Sequence, residues 1–366
     1  TYAYNGIEVY DFGLSYGGLF YSGGTTTVTF TLDLSEGYAA TNVTASSGTL
    51  TDDGNYNFTL TMPNANVTIT ATMTPIASRV VEGYGEGQDP TKWVFIASPL
   101  VSDGGIEPDE VYNLESDNFD LYRFNEGATK EWQNYKAHTD DFCLENGRGY
   151  LYATKDTKTL VFVGDFNTNE TMSVGLDYTS GRPLAGWNLV GNPFTVVATI
   201  DKSYYVIDTT GTTVMAAPAS LGMAIPPCTG VMVQAVSTTD TVRFSRQRRT
   251  QNTVNNGVLR IAVAQNNQRG NTLMDNAFVS FNDGDQLAKF VFNKDNARIY
   301  IPQNGTDYAI ATVGRDAARH VSTNEVPLNF EATENGTYTL SVNPEGVEMA
   351  YLHLIDNMTG ADVDLL

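Results

Sequence analysis

Cysteine is nearly missing from this chain, whose 366 residues hold only Cys143 and Cys228. Two thiols cannot build a disulfide framework. They either pair with each other or are simple buried thiols, the second being the expectation. Histidine is almost as scarce. His138, His320 and His353 show no His-x-x-x-His spacing, so the usual zinc motifs drop out and each reads as structural. Charge is thin, at 17% of residues, and mostly of one sign: 21 basic residues face 42 acidic ones, a net −21. That balance argues against nucleic acid or an anionic membrane as partner, and solubility accounts for it. No apolar run is long enough to span a bilayer, which leaves nothing in this stretch for membrane insertion.

Catalytic patterns are missing as well. His138 and Cys143 are the only thiol–imidazole neighbours, and no orienting Asn or Asp motif accompanies them. Asp140-Asp141 and Asp109-Glu110 are adjacent pairs. Neighbours along a strand face opposite sides, which spoils the convergence a glycosidase needs. The expectation is therefore a protein that is not an enzyme.

What is abundant is Gly, Tyr and Phe, at 33, 20 and 17 residues. With so few charges, that composition suits all-β domains with many tight turns. One phrase is written twice. Trp187-Asn188-Leu189-Val190-Gly191-Asn192-Pro193 echoes Trp93-Val94-Phe95-Ile96-Ala97-Ser98-Pro99, each copy a Trp, a short apolar run and a closing Pro, 94 residues apart. Pro cannot donate to a ladder, so Pro99 and Pro193 mark where pairing stops. Gly149–Ala153 and Thr159–Phe162 are likewise echoed at Gly230–Gln234 and Thr241–Phe244, 81 and 82 residues on.

The chain divides accordingly into four parts. Residues 1–75 alternate apolar and polar with period two, as in Thr25–Leu32 and Tyr56–Met62, and form a small β domain. Residues 76–90 carry Gly83, Gly85, Gly87 and Pro90 and read as a linker. Residues 91–250 hold the duplication, expected as two copies packed on each other in a pseudo-twofold β-sandwich or barrel, with Trp93 and Trp187 in equivalent core places. Hairpins are expected at 120–135 and 204–215. Arg243, Arg246, Arg248 and Arg249 lead into a second polar boundary. Residues 251–366 form a C-terminal β-sandwich with strands at 258–264, 277–281, 289–292, 299–301, 308–313, 326–332, 338–342, 349–355 and 362–366. The fold class is thus all-β, with tandem antiparallel β-sandwich domains. Beginning at Thr1 and ending at Leu365-Leu366, the chain reads as a piece of a longer precursor.

Two resemblances rest on particular residues. The order Gly37-Tyr38, Tyr56-x-Phe58, Met62-Pro63 and then Val67-Thr68-Ile69 resembles the bacterial internalin-B-type surface repeat over about 50 residues. Gly186–Phe194, Gly147–Ala153 and Tyr351–Leu366 together resemble the C-terminal region of large modular surface proteins of Bacteroidetes. The second likeness implies export, a place at the cell surface or outside the outer membrane, and neighbouring modules. It implies no catalytic residues. Asp208-Thr209-Thr210 and Asp240-Thr241-Val242 fit the short pattern on which exported proteins of these bacteria can carry O-linked glycans.

Ligand candidates are few. Tyr10, Tyr16, Tyr21, Tyr204 and Tyr205 would furnish an aromatic platform for a glycan if exposed. Asp283 and Asp285, with Asn293–Asn296, cluster oxygens on loops. That makes calcium the best cofactor candidate, but neither loop follows the EF-hand pattern and turns account for such clusters, so the expectation is no cofactor. The functional expectation is a non-catalytic accessory or adhesin-like region that presents other modules and contacts a host or cell-surface protein or glycan. A carbohydrate-binding module and an accessory part of a larger secreted hydrolase are the alternatives.

Overall fold

Alternation of apolar and polar residues becomes strand wherever one face is covered, and this chain is built that way throughout. The computed structural model describes residues 2–4, 7–9, 14–16, 27–32, 38–54, 57–63, 65, 67–87, 92–115, 118–247, 257–267, 270–313 and 325–366. Among them every regular element is a strand or a short 3-10 turn. No helix among them is long and apolar enough to cross a membrane.

The first part contains β1 (Tyr2–Tyr4), β2 (Ile7–Val9), β3 (Leu14–Tyr16), β4 (Thr27–Leu32), β5 (Tyr38–Ala45), β6 (Thr49–Gly54), β7 (Asn57–Thr61) and β8 (Val67–Val81). Val28 is buried between the exposed Thr27 and Thr29, Phe58 and Leu60 alternate with the half-buried Thr59 and Thr61, and Phe30 stacks on Phe58 at 5.6 Å. The long strand β8 is the exception to domain-by-domain reading. Its first half pairs with β5, from Ile69 opposite Ala45 to Pro75 opposite Tyr38. Its second half, Ile76–Val81, pairs with a strand of the next unit. Residues 76–81, expected to open a linker, are therefore sheet. Arg79 and Val80 lie in an alternation that continues across Pro75, and the glycines that suggested a linker begin only at Gly83.

The first unit comprises β9 (Val94–Ala97), β10 (Phe119–Phe124), β11 (Trp132–Asn134), β12 (Gly149–Thr154) and β13 (Lys158–Val163). The second comprises β14 (Thr171–Gly175), β15 (Trp187–Gly191), β16 (Ala198–Ile200), β17 (Tyr204–Ile207), β18 (Val214–Ala217), β19 (Gly230–Gln234) and β20 (Thr241–Arg246). Their sheets run β9-β12-β10-β11 and β15-β19-β17-β18, all antiparallel. Register follows the written repeat: Ala97 faces Gly149, and Gly191 faces Gly230. β9 and β15 end two residues before Pro99 and Pro193, where the sequence placed the stop.

Apart from Cys228, which enters the first unit's core, the units do not fill each other's cores. β8 and β13 cover the first sheet through Ala77, Val81, Leu160 and Phe162. β14, β16 and β20 cover the second through Val174, Ala198, Ile200, Val242 and Phe244. The two sheets instead meet at their β9 and β15 edges. Ile96 bridges to Thr229 and Arg148 to Val190. The Ala97 amide donates to the Cys228 carbonyl (3.1 Å), and the Gly191 amide to Gly147 (2.9 Å). These contacts exchange places under the sequence offsets. Gly147 and Cys228 also share left-handed backbone, at φ 89° and 54°.

The last part holds β21 (Val258–Asn267), β22 (Gly270–Ser280), β23 (Leu287–Ala288), β24 (Arg298–Gln303), β25 (Thr306–Thr312), β26 (Asn329–Glu331) and β27 (Thr337–Glu345), then a hairpin of β28 (His353–Ile355) and β29 (Asp362–Asp364). The sheet is antiparallel except where β25 lies parallel to β22. Its Val258, Phe278, Leu287, Phe290 and Ile310 cover the outer face shared by both units, meeting Phe95, Leu151, Trp187, Leu189 and Met232. Residues 289–292, expected as a strand, form none. Phe290 packs on Trp187 and Tyr205 of the second unit and Phe292 on Phe95 and Trp132 of the first, contacts made in place of a ladder. The polar boundary at 248–256 lies outside the described residues.

Candidate functional site

The seam between the second unit and the C-terminal sheet gathers a group of buried polar residues, Asp275, Asn276, Ser280, Asn282 and Asp285. A bulge sets it up. Along β21 and β22, Val263 faces Asp275 but Ala264 faces Leu273, which leaves Met274 as the extra residue. Bulges re-aim the side chains beside them. Asp275 and Asn276, consecutive and both buried, serve different partners as a result.

Asn276 caps the edge of the second unit. Its Oδ1 accepts from the Ala216 amide (2.8 Å), and its Nδ2 donates to the Ala216 carbonyl (2.9 Å). A single side chain thus pairs with edge strand β18 much as a further strand would. Asp285 accepts from the Ser220 amide (3.0 Å), from Ser280 Oγ (2.7 Å) and from Ser220 Oγ. Tyr205 Oη donates to the Ala288 carbonyl (3.3 Å) and accepts from the Phe290 amide (3.1 Å). Burial drives that phenol well above its ordinary pKa. Phe290 also packs on Trp187 at 4.9 Å between centroids.

Beside this lies an ion pair sealed from solvent. Lys289 Nζ sits 2.6 Å and 2.5 Å from the two carboxylate oxygens of Asp275, and each side chain is only 7% exposed. Asp275 also accepts from the amides of Ile299 (2.8 Å) and Asn276 (2.9 Å). Burial pushes the Asp275 carboxyl up and the Lys289 ammonium down, more than their mutual attraction restores. A cavity of ≈ 20 Å³, lined by Thr213, Asp275, Lys289, Asn293, Asn296 and others, adjoins the pair. It has room for about one water and none for a substrate.

No protein-family model, curated protein or solved structure matches this chain.

That geometry corrects several sequence expectations. Tyr204 and Tyr205 cannot form an open platform, being 2% and 0% exposed. Neighbours on one strand face opposite sides, and both faces of this sheet are covered, so Tyr204 enters the second unit's own core and Tyr205 the seam. Tyr16 lies in β3 opposite Phe30, while Tyr10 and Tyr21 fall outside the described residues. Asp283 is exposed while Asp285 is buried and already holds three donors, so the two do not form a calcium site. Asn293 Oδ1 accepts from the Asp295 amide (3.0 Å), as in an ordinary Asx turn. No cluster of three His, Cys, Asp or Glu able to hold a metal exists among the described residues.

Trp93 and Trp187 share one kind of neighbour and differ in burial. Each meets the matching tyrosine, Tyr122 at 5.8 Å and Tyr205 at 5.9 Å. Phe290 then covers Trp187, which is 4% exposed, whereas Trp93 stays half-buried. The thiols are free and unpaired, Cys228 buried and Cys143 partly so. His353 belongs to the terminal hairpin, where Nδ1 contacts Asp362 Oδ1 at 2.7 Å, and His320 lies outside the described residues. Sequence reading passed over Asp275, Asn276, Lys289 and Arg79. Arg79 donates to the carbonyls of Phe95 (2.5 Å) and Cys228 (2.8 Å), clamping the two units together. Two adjacent polar residues in the middle of a strand pattern, Asp275-Asn276, were the available signal.

Proposed function

We propose that this chain is a non-catalytic accessory region of a secreted or cell-surface protein, a stiff spacer that presents neighbouring modules and contacts a surface protein or glycan. The observation that supports this reading is β8. One uninterrupted strand serves the sheet of the first domain and the sheet of the next, so the joint between them is a ladder and not a flexible tether. The seam at Asn276 and Phe290 couples the far end in the same way. On this reading the two middle units are copies of one ancestral sheet unit, and their reciprocal edge contacts descend from an internal pseudo-twofold. Spin labels at Thr51→Cys and Val236→Cys, in a Cys143→Ser background, test it. A narrow distance distribution supports a stiff spacer, and a broad one removes it.

A second reading, carbohydrate recognition, is favoured by one feature away from the tyrosines first considered. Tyr351 is 69% exposed and stacks on His353 at 4.2 Å and 13°, beside Asp362 and Asp364. An aromatic face held flat next to carboxylates suits a sugar ring. Saturable binding on a glycan array, lost in Tyr351→Ala, would favour it over a pure spacer, and no binding by the unaltered chain would remove it.

A further inference from the structure

The Lys289–Asp275 pair is placed for more than attraction. An atom close to both oxygens of a carboxylate lies about 3 Å from the carbon between them, in the carboxylate plane, so a turn of the carboxyl about its Cβ–Cγ bond is what brings the face of that carbon to the amine. Lys289 Nζ satisfies that condition at 2.5 Å and 2.6 Å. Each carboxylate oxygen also takes a backbone amide, Oδ2 from Ile299 and Oδ1 from Asn276. Such donors stabilise charge developing on those oxygens when the carbon is attacked. The adjoining ≈ 20 Å³ cavity accommodates a departing water.

We propose that Lys289 and Asp275 join covalently within the folded chain, Nζ of Lys289 to Cγ of Asp275, as an amide cross-link. The ammonium first passes one proton to the carboxylate it touches, giving a neutral amine and a carboxylic acid. Burial favours this exchange, since it disfavours both charged forms. The amine lone pair then adds to Cγ. A second proton moves from nitrogen to the hydroxyl oxygen, the C–O bond breaks, and one water leaves. Ammonium plus carboxylate becomes amide plus water, so atoms and charge balance with no oxidant or co-reactant. The product removes two buried charges, each of them costly to keep out of water. It also ties β22 to the segment carrying Phe290, the residue that covers Trp187 in the seam.

Intact mass and tryptic mapping of the full chain, purified folded and incubated near neutral pH, test the proposal. The expected result is a mass lower by one water, no cleavage after Lys289, and a branched peptide joining Lys289 to Asp275. Lys289→Arg then restores the full mass. Full mass with Asp275 and Lys289 in separate peptides overturns it. So does a lost water that maps to Asp283-Gly284, where succinimide formation would leave Lys289 free.

Discussion

A methyl group on Gly191 would lie 2.4 Å from the carbonyl oxygen of Arg148. It would also meet the Ala97 side chain at 2.3 Å, so the two middle sheets approach across a gap that admits no side chain there. Gly191→Ala is expected to destabilise the chain by about 1–3 kcal/mol, the range of overpacked sites that must shift backbone. Denaturant melts check this. Gly175→Ala is the control, because nothing lies within 4 Å of its added carbon, and it should change stability by less than about 0.5 kcal/mol.

Asn276→Ala would leave the amide and the carbonyl of Ala216 without the partners they have now. Each buried group so orphaned costs about 1–3 kcal/mol. The loss should appear first at the seam, as faster hydrogen exchange along Val214–Ala217 than in the first unit. A variant as stable and as protected as the parent would show that the latch is not needed.

The two thiols should react in a fixed order. Burial lifts the Cys228 thiol to about 12, against a smaller opposing pull from Arg79. Cys143 is also raised, by burial and then by Glu107, Glu145 and Glu110. Only thiolate reacts. Near neutral pH an alkylating reagent should modify Cys143 more slowly than free cysteine and leave Cys228 untouched until the chain unfolds. Labelling of both at free-cysteine rates contradicts this.

The terminal hairpin carries an acid-sensitive loop. Thr359 Oγ1 donates to Asp356 at 2.6 Å and the Met358 amide at 2.9 Å, and the Thr359 bond comes first in holding the carboxyl below its ordinary 3.8. A folded value below the unfolded one means the stabilisation is complete above 3.8 and is lost as pH falls through the folded value. Carbon NMR should place the Asp356 midpoint below 3.8, and Thr359→Val should raise it. A midpoint at or above 3.8 in the parent refutes the assignment.

Much of this architecture was legible because strands with one covered face alternate visibly, as in Asn57–Thr61. The repeat was legible because Trp, an apolar run and Pro recur at one spacing. What stayed hidden depends on what covers the second face. Trp187–Gly191 is buried along its whole length and Tyr205 is fully covered because the C-terminal sheet, far downstream in the chain, closes over the second face. Local pattern cannot report that. The polar residues of the seam were missed for the same reason. Along the sequence Asp275, Asn276 and Lys289 resemble solvent-facing positions, and only their partners reveal them as interior. The linker was misplaced because Gly83–Gly87 drew the boundary back into β8, where the alternation had not yet ended.

Hydrogen exchange along Val67–Val81 tests most directly whether one strand joins the first domain to the rest. If it does, the hydrogen-bonded amides of Ile76–Val81, opposite Lys158–Val163, exchange as slowly as those of Ile69–Thr74, opposite β5. Exchange at unprotected rates throughout Ile76–Val81 would mean a tether lies there, and the stiff spacer would fall with it.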